Sequence, residues 1–151
     1  MYKQLPGEIA STRLEELVTP TGKVFLQISL EPHDQWIHAN WIGYPTHDNV
    51  AKGAITYLDW MKAKGCSAVL NDNRHLVGRW NQSLDWLEQH WVPYAVKAGL
   101  RYWAHLDTPG TFSAESADLL RARVRGKFEV QLFEDQAAAE TWLKSKQTVR
   151  R

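Results

Sequence analysis

Residues 66–70, Cys-Ser-Ala-Val-Leu, form a short apolar run closed in front by Gly65 and behind by Asn71-Asp72-Asn73-Arg74-His75. A run of this length is too short for a buried helix. Its lack of alternation requires cover on both faces, which is the situation of a central strand in a layered α/β domain. The rest of the chain must therefore supply the covering helices and the neighbouring strands.

It does so in a regular order. Upstream, Val24, Leu26, Ile28 and Leu30 alternate with Phe25, Gln27 and Ser29, as in a half-buried strand. The polar turn Glu31-Pro32-His33-Asp34-Gln35 leads to a second β-like run over residues 36–42, ended by Gly43-Tyr44-Pro45, and so short a connection predicts an antiparallel hairpin. Thr46 or Asp48 then caps a helix that lines up Val50, Ala54, Tyr57, Leu58 and Met61, with Lys62 and Lys64 at its negative end and Gly65 as its stop.

Downstream, residues 80–98 carry a helical stripe of Trp80, Leu84, Leu87, Trp91, Ala95 and Ala98, which Pro93 is expected to kink and Gly99 to end. Residues 101–106 read as a strand, Ser113 caps a helix running to Gly126, and residues 128–133 alternate as the last strand. Asp135 opens a final helix that buries Ala138, Trp142 and Leu143, and the polar tail 144–151 is expected to fray.

The order β-β-α-β-α-β-α-β-α predicts a mixed, mostly parallel sheet of four or five strands, with an N-terminal antiparallel hairpin, about four helices and right-handed crossovers. All of residues 1–151 read as one domain with its core at about 23–144. Residues 1–22, broken by Pro6, Gly7, Pro20 and Gly22, form an N-terminal extension whose Leu14 and Leu17 pack at the domain edge.

Charge narrows the partners. Lys and Arg number 18 against 17 Asp and Glu, a formal net charge of +1, which gives no global attraction to nucleic acid or an anionic membrane surface. No run approaches the roughly 20 apolar residues of a membrane span, so integral membrane association is not expected. The start of the chain lacks an apolar leader core, and Cys66 is the lone cysteine, so a reducing, cytoplasmic setting is expected, with Cys66 as a small core residue. The unusual feature is eight tryptophans, each a large apolar surface with one N–H donor, suited equally to cores, pockets and interfaces.

Chemistry is sparse. Neither G-x-G-x-x-G nor G-x-x-x-x-G-K-[ST] occurs, and the nucleophile-elbow pattern G-x-S-x-G is absent. The six histidines, at 33, 38, 47, 75, 90 and 105, show no tight metal-ligand spacing, so neither a cofactor nor a metal is expected. The candidate ligand-binding residues are Asn71, Asp72, Asn73 and Arg74, read as a loop at the carboxyl end of the central strand, where open α/β sheets bind ligands. Asp72 could orient a ligand and Arg74 could clamp a carboxylate or phosphate. The alternative is that the Asn and Asp side chains only tie down the turn.

His105, inside a strand, reads as a buried hydrogen-bonded residue or, second, as a titrating group. Arg121, Arg123 and Arg125 suit a helix C-terminus, with a phosphate patch as the lesser reading. Trp86 lies opposite the apolar stripe of its helix, at helical spacing from His90 and Pro93. Those three are the candidate partner-binding residues, unless the N-terminal segment covers them.

With these elements placed, the chain resembles the bacterial STAS/SpoIIAA-like family. The likeness spans about residues 23–144 and is carried by Trp41-Ile42-Gly43-Tyr44, by Leu70-Asn71-Asp72-Asn73-Arg74, by Trp86 through Trp91-Val92-Pro93 to Ala98-Gly99, and by Phe133 to Trp142-Leu143. It implies a mixed four- or five-stranded sheet with packed helices, an architecture shared with anti-sigma-factor antagonists and similar to CRAL-TRIO lipid-binding domains. The antagonists carry a phosphorylatable serine in the loop entering the helix after the central strand. Here Asn71-Asp72-Asn73-Arg74-His75-Leu76-Val77-Gly78 holds no Ser or Thr and Ser83 lies further on, so the phospho-switch does not carry over.

The expected function is a non-enzymatic STAS-like regulatory module that binds a protein partner or a second copy of itself. The alternative is a carrier of a small apolar molecule or lipid, held in a pocket near Asn71 to Arg74. An enzyme using Asp72 or His105 stands third, because neither shows a nucleophile or an orienting partner in the sequence.

Overall fold

The computed structural model describes residues 10–33 and 35–147. Its elements are β1 (Thr12–Val18), β2 (Val24–Leu30), β3 (Ile37–Gly43), α1 (His47–Ala63), β4 (Ala68–Leu76), a 3-10 turn (Asn81–Ser83), α2 (Leu84–Trp86), a π turn (Leu87–Trp91), α3 (Val92–Ala98), β5 (Tyr102–Leu106), α4 (Phe112–Arg123), β6 (Glu129–Phe133) and α5 (Gln136–Gln147). The six strands form one sheet in sequence order, antiparallel from β1 to β3 and parallel from β3 to β6. The α/β class, the leading hairpin and the interior position of the strand through Leu70 are therefore as expected.

The two faces of the sheet are dressed unequally. Val69 and Trp103 face α1, the composite helix of residues 84–98, and α4, which contribute Tyr57, Leu58, Trp91 and Leu120 to one core. Leu70, Ala104 and Leu106 face the other way, onto Ala139 and Leu143 of α5. Three helices on one face follow from crossovers of one hand along strands laid down in order. That face is thick and aromatic, while α5 alone covers the other.

Close approach shapes the larger core. Gly53 sits inside α1, where a glycine costs about 1 kcal/mol relative to alanine. A Cβ there would lie 2.5 Å from the Trp41 ring and 2.9 Å from Leu26, so the bare Cα is what lets the indole lie against the helix. Thr46 is the observed cap of α1, its hydroxyl accepting from the Asn49 N–H.

Several expectations need correction. Within the N-terminal extension, residues 12–18 form a sixth strand, β1, through which Leu14 and Leu17 pack on the core; its register slips between Arg13 and Glu15 and again between Leu17 and Val18, which breaks the two-residue period. Its Arg13–Glu16 ion pair places charge on the exposed sheet edge. The central strand does not stop at Leu70 but runs on to Leu76, because its polar residues find buried partners.

Pro93 does not simply kink a uniform helix: the turn ahead of it, Leu87–Trp91, winds as a π turn in which the Val92 N–H bonds the Leu87 carbonyl, and α3 follows with Pro93 in its first turn. Thr111, not Ser113, caps α4, which ends at Arg123. Asp135 caps α5 as expected, but α5 buries Ala139 in place of Ala138 and continues to Gln147; residues 148–151 of the tail lie outside the described residues.

Candidate functional site

The polar stretch after Leu70 is split by the pleat of β4. Asn71 and Asn73 point to the face covered by α1 and α4, while Asp72 points to the face covered by α5. The four candidate ligand residues therefore do not form one cluster, and three of them, Asn71, Asp72 and Asn73, are buried. The sequence predicts a loop here, whereas these residues are strand interior.

On the aromatic face, register decides who meets. Asn71 lies beside His105 on β5 and beside Ala39 on β3, so Trp41, two residues beyond Ala39, reaches it diagonally. The Trp41 Nε1–H donates to Asn71 Oδ1 at 2.8 Å. The Asn71 amide then donates to Asn73 Oδ1 at 3.1 Å and to His105 Nδ1 at 3.2 Å. An indole can only donate, so the orientation of Asn71 is forced, and His105 must accept at Nδ1. The ring is thus the Nε2–H tautomer, and Nε2 donates to Asp107 Oδ2 at 3.0 Å.

Ser113 closes the chain. Its hydroxyl donates to the same Asp107 oxygen at 2.8 Å and accepts from Asn73 Nδ2 and Trp80 Nε1, each at 3.1 Å. One hydrogen given and two lone pairs filled exhaust a serine hydroxyl. The three residue types of a hydrolytic triad are present, but the carboxylate stands between serine and histidine. A base that cannot touch the hydroxyl cannot activate it. His105 does have an orienting partner, Asp107, which lies just past the end of β5 and which the sequence reading missed. Its other nitrogen is already occupied by Asn71.

On the opposite face Asp72 is held from two sides. His38 Nε2 lies 3.2 Å from Oδ2, and Arg74 donates through Nε to Oδ1 at 3.0 Å and through Nη2 to Oδ2 at 2.8 Å. Burial alone would raise this carboxyl. The hydrogen bonds from His38 and Arg74 outweigh it and hold Asp72 well below the ordinary carboxylate range. Arg74 also reaches Gln136 Oε1 at 2.9 Å, so the pair ties β3 and β4 to the start of α5. The fork of Arg74 is spent on Asp72, not left open for a ligand.

Above Asn71 and Asn73 lies a cavity of about 40 Å³ walled by the rings of Trp41, Tyr57, Trp80, Trp91 and Trp103. Adjacent rings meet edge to face, as for Trp91 and Trp103 with centroids 5.8 Å apart. Trp103 Nε1 donates to the Tyr57 hydroxyl at 3.3 Å. The Trp91 indole approaches the same hydroxyl without closing a hydrogen bond, and its N–H has no acceptor among the described residues. Trp91 is only 1% exposed, and a buried donor left unpaired costs about 1–3 kcal/mol. Burial pushes the Tyr57 hydroxyl up, so it stays protonated.

Pro45 and Leu76, at the carboxyl ends of β3 and β4, are among the residues that line the cavity. Around that end stand three exposed apolar side chains: Tyr44 (74%), Val77 (50%) and Phe112 (54%). The Val77 N–H bonds the Gly43 carbonyl at 2.9 Å, which joins the connections carrying Tyr44 and Val77, and the Arg79 guanidinium lies 4.3 Å over the Phe112 ring. Compared with protein-family models and with curated proteins, the chain matches none.

The remaining candidates lie elsewhere. Trp86 is half-buried on the core, edge-on to His47 at 6.0 Å and tilted against His90 at 6.2 Å, while His90 and Pro93 are exposed. None of the three lines the cavity, although Leu87 and Trp91 reach it from the same composite helix. Arg123 bridges α4 to Asp85 at 2.7 Å and Glu88 at 3.3 Å, which gives it a structural partner. Among the described residues no group of three or more His, Cys, Asp or Glu could hold a metal, and no helix is long and apolar enough to cross a membrane. Cys66 is buried, as expected.

Proposed function

We propose that the chain is a non-enzymatic, STAS-like binding module that seats a protein partner on the rim formed by Tyr44, Val77 and Phe112. The observation that carries this reading is the rim itself: exposed apolar side chains that follow the carboxyl ends of parallel strands, with Tyr44 and Val77 next in sequence to Pro45 and Leu76 of the aromatic hollow. The family likeness in residues 23–144 favours a binding role, and so does the way the acid–base candidates are occupied. Asp72 is saturated by His38 and Arg74, and His105 is held between Asn71 and Asp107.

The size of the hollow favours a protein over a carried lipid. Pockets that enclose a free organic ligand run to roughly 300–1,000 Å³, against about 40 Å³ here. A molecule that needs enclosing does not fit, whereas a partner surface that covers the rim needs only a shallow anchor point. Trp86, His90 and Pro93 offer the competing face, an aromatic–imidazole pair on the outer side of the composite helix.

Site-specific photo-crosslinking separates the two. A crosslinker placed at position 44 or 112 in cells should trap one partner, which is then purified and rebound in vitro. Tyr44→Ser with Phe112→Ser should weaken that rebinding at least tenfold, and Trp86→Ser should leave it unchanged. The opposite pattern would move the docking face to Trp86. A crosslink to a second copy, with a dimer by light scattering, would make the partner the chain itself.

A further inference from the structure

The three arginines at the end of α4 are used differently. Arg123 is spent on Asp85 and Glu88. Arg121, in the last turn, and Arg125, just past it, are exposed and join no ion pair with a described residue. With Asp118, Val124, Phe128 and Val130 they line an open groove of about 540 Å³. Its charged lining is two cations against one anion. Phe128 lies edge-on to the buried Trp91 at 5.7 Å, which anchors this part of the lining to the core.

Among the described residues β6 is the one strand that lines the groove, and it is the last strand of the sheet. The two sheet edges differ. β1 is blunted by two register slips and by the Arg13–Glu16 pair, devices that keep an edge from recruiting another strand. β6 pairs with β5 in unbroken register and contains no proline, and its one charged side chain, Glu129, is met by Lys146 at 3.3 Å.

The Glu129 N–H bonds the Arg101 carbonyl, and the Asp107 N–H bonds the Phe133 carbonyl. Bonded residues alternate along a parallel ladder, so Glu129, Gln131 and Phe133 are turned to β5. Val130 and Leu132 then turn their N–H and C=O groups outward. Such main-chain groups beside a groove for side chains are the means by which a sheet edge captures an extended peptide.

We infer that the groove beside β6 accepts an extended acidic peptide segment, which pairs with Val130 and Leu132 as an added strand and sets its carboxylates against Arg121 and Arg125. Asp118 repels a carboxylate placed near its own end of the groove, which directs the acids toward Arg125. A phosphate or a nucleic acid would meet the same arginines but has no peptide groups to pair with the strand. The site stands at the opposite end of α4 from Phe112 and is independent of the rim.

The probe is a peptide of alternating glutamate and valine, capped at both ends, added to the full chain. Binding should saturate below millimolar concentration. Solvent exchange of the Val130 and Leu132 amides should slow at least tenfold, while that of Gln131, already bonded to β5, stays as it was. Two control peptides should bind at least tenfold more weakly: one with lysine for glutamate, and one N-methylated at successive central amides, which blocks both of its edges. These comparisons need no variant. Arg121→Glu with Arg125→Glu should reverse the preference, so that the lysine peptide binds the more tightly, an outcome that a misfolded variant would not give.

Unsaturable binding of the glutamate peptide overturns the proposal. Equal binding of the N-methylated peptide reduces the site to a patch for anions and overturns strand addition. A short oligodeoxythymidine that binds at Arg121 and Arg125 more tightly than the peptide makes the partner a nucleic acid. A dimer by light scattering, with Val130 and Leu132 already protected before peptide is added, makes the occupant a second copy and overturns the peptide assignment.

Discussion

The indole of Trp41 donates to Asn71 Oδ1 at 2.8 Å, and that single bond sets the direction of the hydrogen bonds from β3 to β5. Asn71 cannot turn over without facing one donor with another, so His105 Nδ1 is always an acceptor and its Nε2 always presents a hydrogen to Asp107.

Trp41→Phe removes the donor while keeping most of the ring. It leaves Asn71 Oδ1 buried and unpaired, and should cost about 1–3 kcal/mol on top of the small loss of ring area. Urea unfolding measures the first effect. Nitrogen shifts of His105 measure the second: a single Nε2–H tautomer in the parent protein and a mixture in the variant.

The Asp72 cluster makes a pH prediction whose sign is fixed. The carboxyl is depressed in the folded protein relative to its ordinary value near 3.9. Its contribution is therefore fully present above that ordinary value and is lost as pH falls through the lower, folded one. Asp72→Asn should destabilise by about 2 kcal/mol at neutral pH, and the gap to the parent protein should close below about pH 4. Unfolding free energies of both proteins between pH 7 and pH 2 give the comparison. A gap that stays constant across that range would mean the carboxylate charge contributes nothing.

Gly53→Ala tests the close contact between α1 and β3. Alanine gains about 1 kcal/mol of helix propensity, yet its Cβ would sit 2.5 Å from the Trp41 ring. Overpacking of this kind costs about 1–3 kcal/mol. The variant should be net destabilised, and Trp41 should shift enough to weaken its bond to Asn71. Thermal melts and the Trp41 indole resonance report the two effects separately.

The strand and helix order was legible because most of it rests on burial periodicity, as in Leu26, Ile28 and Leu30 of β2 and in Val50, Ala54, Tyr57, Leu58 and Met61 of α1. What was illegible has identifiable causes. β1 carries two register slips, so no window of it shows clean alternation. Asn71, Asp72 and Asn73 read as a loop because polar residues are rare inside strands. Only the partners supplied by β3, β5 and α4 make them tolerable there, and those are tens of residues away. The eight tryptophans announced some aromatic feature, but not that five rings from α1, two strands and the composite-helix region would ring one hollow.

The arrangement of this end of the sheet separates two tasks. The hydrogen-bonded web from Trp41 to Ser113 is closed below the surface, while Tyr44, Val77 and Phe112 sit on or beside the short connections at 44–46, 77–79 and 108–111. The side chains of Tyr44, Val77 and Phe112 make no bond of that web, so they can be exchanged while it is kept. Descendants of such a chain could change whom they meet while keeping the foundation on which the meeting takes place.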